Sequence, residues 1–228
     1  MTELLVSVTS PEEAIAALDA GATVIDLKDP AAGALGAVPV ETARAIVAAV
    51  GHRGTLTAAA GDAATVEDAR ALYDAGVVTV KVPIPAGDAG AKALSVFGAA
   101  LGGTARLVAV FAADQEPDAG LVPVAAFSGF SGVMLDTTAK TGGLLDVMEL
   151  ADIAQFVAAA RRAKLMVGLA GSLKVVDVGT LLPLKPDVIG FRGGVCVNGI
   201  RTNPLDPARV RAAATALAVH AVRRETAE

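Results

Sequence analysis

Apolar and polar positions follow two rhythms along this chain. Short runs rich in Val, Ile and Leu are separated by longer stretches in which apolar residues recur at every third or fourth position. The runs predict strands over Leu4–Val8, Val24–Lys28, Thr55–Ala60, Val77–Val82, Leu107–Ala112, Gly132–Asp136, Leu165–Ala170 and Asp187–Arg192. The stretches predict helices near Pro11, Val40, Val66, Ala89, Glu149 and Pro207, with weaker signals near Gly120 and Leu173. In "SPEEAIAALDAG" Ser10 is a helix cap, Pro11 the first helical residue and Gly21 the stop. Uniformly apolar strands alternating with helices imply a parallel sheet covered on its faces. Eight such units fit a single (β/α)8 barrel, with an open doubly wound sheet as the alternative. No linker or low-complexity tract divides residues 1–228, so one catalytic domain is expected.

Some strands break the apolar rule at their ends. In "VIDLKDPAAGALGA", Asp26 and Lys28 sit two residues apart and share the barrel-facing side with Val24. Lys81 closes the fourth predicted strand, Asp136 the sixth with Lys140 in the loop behind it, and Arg192 the eighth. In a (β/α)8 barrel these positions converge on one mouth, where the chemistry of such folds takes place. A mutually satisfied Asp–Lys pair with a purely structural role is the simplest explanation. The scarcity of lysine argues for more, because three of only seven fall at strand ends. A lysine among apolar walls and beside another cation loses its proton readily, and its free amine attacks a carbonyl to form a Schiff base. Lys28 is the first choice for that nucleophile and Lys81 for the group that tunes it, although these arguments allow the reverse. Asp26, Asp136 and Lys140 then form the acid–base and orienting set.

A second group of residues suggests phosphate. "GLAGSLK" follows the seventh strand and "GFRGGVC" the eighth, where barrels of this class hold phosphate on backbone amides. Gly171, Ser172, Gly193 and Gly194 permit close backbone approach, and Arg192 supplies positive charge. Long for its position and rich in glycine, "DPAAGALGA" reads as a mobile cover. Cys196 reads as a packing residue, and His52 and His220 fall away from the mouth.

Composition narrows the partners. With 54% hydrophobic but only 3% aromatic residues, the core must be built from Ala, Val, Leu and Ile. A net charge of -5 disfavours nucleic acid and anionic membrane surfaces, which leaves small molecules. One cysteine excludes an internal disulfide. With no signal-like N-terminus and no long apolar run, a cytoplasmic protein is expected, and its Ala/Val/Leu helices leave room for a homo-oligomer. A zinc site is not expected, because two histidines and one cysteine, all outside the mouth, cannot assemble one there.

Taken together, "IDLKDPAAGALGA", "VKVP", "MLDTTAKTG", "GLAGSLK" and "GFRGGVC" resemble the (5-formylfuran-3-yl)methyl phosphate synthases, also called 4-(hydroxymethyl)-2-furancarboxaldehyde-phosphate synthases, of methanofuran biosynthesis. The resemblance runs from the first strand to the last. It implies a (β/α)8 barrel that joins two glyceraldehyde 3-phosphate molecules into a phosphorylated furan, with loss of phosphate and water and without cofactor. Asp29 departs from the Asn typical of archaeal members. Two other classes stay open at this point: an isomerase or aldolase acting on another triose or pentose phosphate, and a non-catalytic phosphometabolite-binding barrel.

Overall fold

The computed structural model describes residues 1–139 and 142–225, with side chains through Val219. Eight strands form a closed, fully parallel barrel in chain order. They are β1 (Glu3–Val8), β2 (Val24–Leu27), β3 (Thr55–Ala59), β4 (Thr79–Ile84), β5 (Arg106–Ala112), β6 (Gly132–Asp136), β7 (Met166–Leu169) and β8 (Val188–Phe191). Closure is direct, since β1 pairs with β8 as well as with β2. The helices are α1 (Pro11–Asp19), α2 (Val40–Val50), α3 (Val66–Asp74), α4 (Gly87–Leu101), α5 (Leu121–Phe127), the short α6 (Leu144–Val147), α7 (Leu150–Arg162), the short α8 (Val178–Leu181) and α9 (Pro207–Glu225). Ser10 caps α1 by accepting from the Glu13 amide, and Thr65 with Asp68 forms a capping box on α3.

Two buried clusters hold the layers together. The larger lies between strands and helices and includes Ile25, Leu27, Leu107, Leu135 and the edge-to-face pair Phe111–Phe156, with centroids 5.6 Å apart. The smaller fills the barrel itself with Leu5, Val24, Ala59, Val108, Val110, Met134, Ala170 and Val188. Small and branched side chains fill this interior without aromatics, as the composition requires. Among the described residues no helix is long and apolar enough to cross a membrane.

β4 differs from its predicted range by two residues at each end. The Val77 amide donates to the Leu72 carbonyl and the Gly76 amide to Tyr73, closing α3, so Val77 cannot start the ladder. At the other end the strand runs through Pro83, which cannot donate to a ladder. Pairing with β3 ends at Lys81, so Pro83 sits where that ladder has already stopped. Lys81 is therefore third in a six-residue strand, not its closing residue.

Candidate active site

Strand register assembles the deepest part of the site. Ser7 on β1, Asp26 on β2 and Thr57 on β3 are consecutive register partners and point to the same side. Ser7 Oγ donates to Asp26 Oδ2 at 2.8 Å, and Thr57 Oγ1 donates to Oδ1 at 2.7 Å. Asp26 is completely buried, so these hydroxyls replace the water that its carboxylate has lost. From β4, Lys81 reaches across β3 and places Nζ 2.7 Å from Asp26 Oδ2. Thr57 and Ala59, inward on β3, are small enough to leave that path open.

A second pair lies nearer the opening. Lys28 follows β2, and its Nζ donates to Asp136 Oδ2 at 2.8 Å, from the opposite side of the barrel. The Thr137 amide donates to Asp136 Oδ1 at 2.7 Å. Lys28 and Asp136 are 8% and 6% exposed, against 3% for Lys81, so the four charges descend from the mouth in two tiers. Burial pushes the Lys81 amine below the ordinary lysine range. Asp26 and Asp136 pull it back, and the charge of Lys28 adds to the lowering. Lys140 lies outside the described residues.

Above the pairs opens a cavity of about 690 Å³ lined by Lys28, Lys81, Asp136, the loops after β7 and β8, and Gly142, Gly143 and Asp146 beside α6. Gly171 has a φ of +107°, and a methyl group there would stand 2.8 Å from Thr137 Cγ2 and 2.9 Å from the Thr137 amide nitrogen. Gly194 approaches the Leu173 carbonyl so closely that a methyl group would lie 2.2 Å from its oxygen. These glycines bring the β6, β7 and β8 loops into contact. Among the described residues, the amides of Ser172, Gly193 and Gly194 donate to no protein acceptor. All three residues line the cavity, a concave set of donors suited to an anion.

Arg192 lines the cavity but is held by protein partners. Expected to offer positive charge to a phosphate, it spends its donors within the protein. Nε donates to the Arg201 carbonyl at 2.9 Å, Nη1 to the Ser7 carbonyl and Glu13, and Nη2 to Glu13 and the Asn203 carbonyl. Burial opposes the charge on Glu13, but hydrogen bonds and attraction from Arg192 outweigh it and hold its pKa below the usual carboxylate value. Arg192 thus ties the end of β8 to α1, and among the described residues the other cations on the cavity wall beyond the pairs are Lys174, Arg201 and Arg209.

The loop after β2 is held at both sides. Asp62 accepts from the amides of Ala34 and Leu35, and Arg201 donates to the carbonyls of Pro30 and Gly33. Cys196 is buried, which raises its thiol pKa, and His52 is exposed between α2 and β3. Among the described residues no cluster of His, Cys, Asp and Glu could hold a metal ion. Sequence reasoning missed Ser7, Thr57, Glu13 and Arg201. Only the first two left a signal, as hydroxyls on the inward side of "LLVSV" and "TLTAA".

Comparison with known proteins bears on the fold and the family. A solved 3-hexulose-6-phosphate synthase from Salmonella typhimurium superposes with a TM-score of 0.72 at 17% identity, covering 96% of this chain and all of that one. Phosphoribosyl anthranilate isomerase from Thermus thermophilus gives 0.70 at 17%, with the same coverage, and both likenesses show the fold alone. A Methylorubrum extorquens protein named as a candidate (5-formylfuran-3-yl)methyl phosphate synthase is 45% identical over 219 residues, 94% of this chain and 91% of its own. The (5-formylfuran-3-yl)methyl phosphate synthase of Methanopyrus kandleri is 33% identical over 215 residues, 87% of this chain and 91% of its own. The family described as 4-HFC-P synthase matches residues 4–214, and the chain belongs to it.

Proposed function

We propose that this protein condenses two molecules of glyceraldehyde 3-phosphate into 4-(hydroxymethyl)-2-furancarboxaldehyde phosphate, releasing phosphate and water, through a Schiff base on lysine. The observation that carries the reading is the pair of buried Lys–Asp contacts in a cavity that is also lined by Ser172, Gly193 and Gly194, whose amides donate to no acceptor among the described residues. One triose phosphate enolises to become the carbon nucleophile while the other supplies the aldehyde. The neutral amine of Lys28 adds to a carbonyl and expels water, and the resulting iminium acidifies the neighbouring C–H. Asp136, in contact with Lys28, takes and returns that proton, and the electron pair attacks the second aldehyde. Elimination of one phosphate and a cyclising dehydration need only acids and bases. Lys81, with its ammonium disfavoured by burial, receives protons within the site, and Asp26 balances the charge. Ser172, Gly193 and Gly194 hold the retained phosphate on their amides, with Lys174 beside them.

A second reading exchanges the lysines. It is favoured by the lowered pKa of Lys81, which makes it the readier neutral amine. Borohydride reduction in the presence of glyceraldehyde 3-phosphate, followed by peptide mapping, separates the two, since the trapped mass sits on Lys28 in the first and Lys81 in the second. Incubation with glyceraldehyde 3-phosphate alone should produce the strong ultraviolet absorbance of a conjugated furan aldehyde, and EDTA should leave the rate unchanged. Trapping without a furan product would move the assignment to a plain aldolase or isomerase. No trapping and no product would leave a phosphometabolite-binding barrel. Loss with chelator and recovery with stoichiometric metal would replace the Schiff base by a metal-held enediolate.

A further inference from the structure

Asp62 stands in the loop between β3 and α3, exposed and outside the charged set. Its carboxylate nevertheless makes two specific contacts with the loop that follows β2. Oδ2 accepts from the Ala34 amide at 2.9 Å and Oδ1 from the Leu35 amide at 2.6 Å. Gly33 is part of this fit, because its φ is +140° and a methyl group there would stand 2.0 Å from Asp62 Oδ2. From the far side, Arg201 grips the carbonyls of Pro30 and, at 2.7 Å, Gly33. A segment otherwise free to move is thereby fixed between two loops.

The consequence falls on Leu35. Although it belongs to a surface loop, Leu35 is buried at 5% exposure and joins the cluster that fills the barrel interior. That cluster includes Ala59 and Val108, the register partners that flank Lys81 on β3 and β5. The loop thus adds one apolar side chain to the cluster that holds the neighbours of Lys81, while the cavity wall includes Lys81 and not Leu35.

We propose that Asp62 is a positioning residue: by holding the amides of Ala34 and Leu35 it seats Leu35 in the barrel interior, where it limits the water that reaches Lys81 to what the cavity admits. The inference rests on the reading of Lys81 as a working amine of the site. Among the described residues the charged groups that act on Lys81 are Asp26 and Lys28 from β2 and its end, and Asp136 from β6. Asp62 spends its two oxygens on the Ala34 and Leu35 amides rather than on these groups, so the effect runs through hydration. Burial is the largest influence lowering the Lys81 pKa, and admitting water weakens it.

The test is titration of the lysine side chains by ¹³Cε NMR, which seven lysines make tractable and which needs no substrate. In folded Asp62→Ala and Leu35→Ala proteins, the Lys81 midpoint should move up toward the ordinary lysine value while the exposed lysines stay in place. The double variant should shift no further than either single one, and Leu35→Met should restore the wild-type titration. In turnover assays, kcat at neutral pH should fall about tenfold for each single variant with KM within about twofold, and the acid limb of the pH profile should move to higher pH. An unmoved Lys81 titration in folded Asp62→Ala, or additive shifts in the double variant, overturns the proposal. If the wild-type protein makes no furan but the Lys81 titration moves as stated, the proposed reaction falls and the positioning role stands.

Discussion

Asp26 carries more of the site than its lack of exposure suggests, because three side chains depend on it at once. Ser7, Thr57 and Lys81 all direct a hydrogen to its two oxygens. Asp26→Ala strands two buried hydroxyls and a buried amine, and the expected cost is roughly 3–5 kcal/mol, read by urea denaturation. Adding Lys81→Met removes the stranded cation and should recover a large part of that loss, because an apolar side chain fits where an unpaired charge does not. A double variant as unstable as the single one would show that the charge pair is not what Asp26 supports. Lys28 is the complementary case. Lys28→Arg keeps a cation beside Asp136 but offers no neutral amine, so the fold should survive while furan formation disappears. Near-wild-type turnover in folded Lys28→Arg takes the nucleophile role from Lys28.

At the scale of elements, the β6 and β7 loops meet at Gly171. A Cβ there needs space already filled by Thr137, and the φ of +107° disfavours any side chain. Thr137 follows Asp136 and holds its carboxylate through the backbone amide, so pressure at Gly171 reaches the Lys28 partner. Gly171→Ala should lower both kcat and thermal stability, by roughly 1–3 kcal/mol for the latter. A variant with full activity would uncouple the two loops. The same elements show what the sequence made legible. Strands were readable as apolar runs broken by charges at Asp26, Lys28 and Asp136, and the inward side of β2 because side-chain alternation puts Asp26 and Lys28 on one face with Val24. The boundaries of β4 were not, since the cap of α3 takes the Val77 amide and Pro83 occupies a position that no local rule marks as free of a β3 partner. The short α6 escaped because its four residues carry too little periodicity. The pairing of Arg192 was hidden because its partner Glu13 lies 179 residues away, on the first turn of α1. Charge at a strand end was visible, but its neutralisation was not.

Over the whole molecule, one circular repeat brings Lys28 and Asp136, 108 residues apart, to opposite sides of one mouth. Their convergence was inferable from unit count alone, whereas which lysine meets which aspartate depends on register and tilt. The same closure makes ligand binding a property of the entire barrel: an anion on the β7 and β8 loops touches segments that only the folded chain brings together. A ligand that binds the folded state and not the unfolded one stabilises it by mass action. Glycerol 3-phosphate, which has the phosphate and carbon chain but no carbonyl for a lysine to attack, isolates this step from chemistry. At about 100 times its Kd it should add about 2.7 kcal/mol, and a domain of this size should then melt roughly 5–10 °C higher. Ser172→Asp supplies the control. Ser172 is exposed with a φ of +49°, a conformation that Asp tolerates, so the fold should persist while a negative charge now faces the incoming phosphate. The melting shift should disappear in Ser172→Asp and survive in Ser172→Asn, which keeps the shape without the charge. Equal shifts in both variants would place the phosphate away from the β7 and β8 loops and leave their free amides without a ligand.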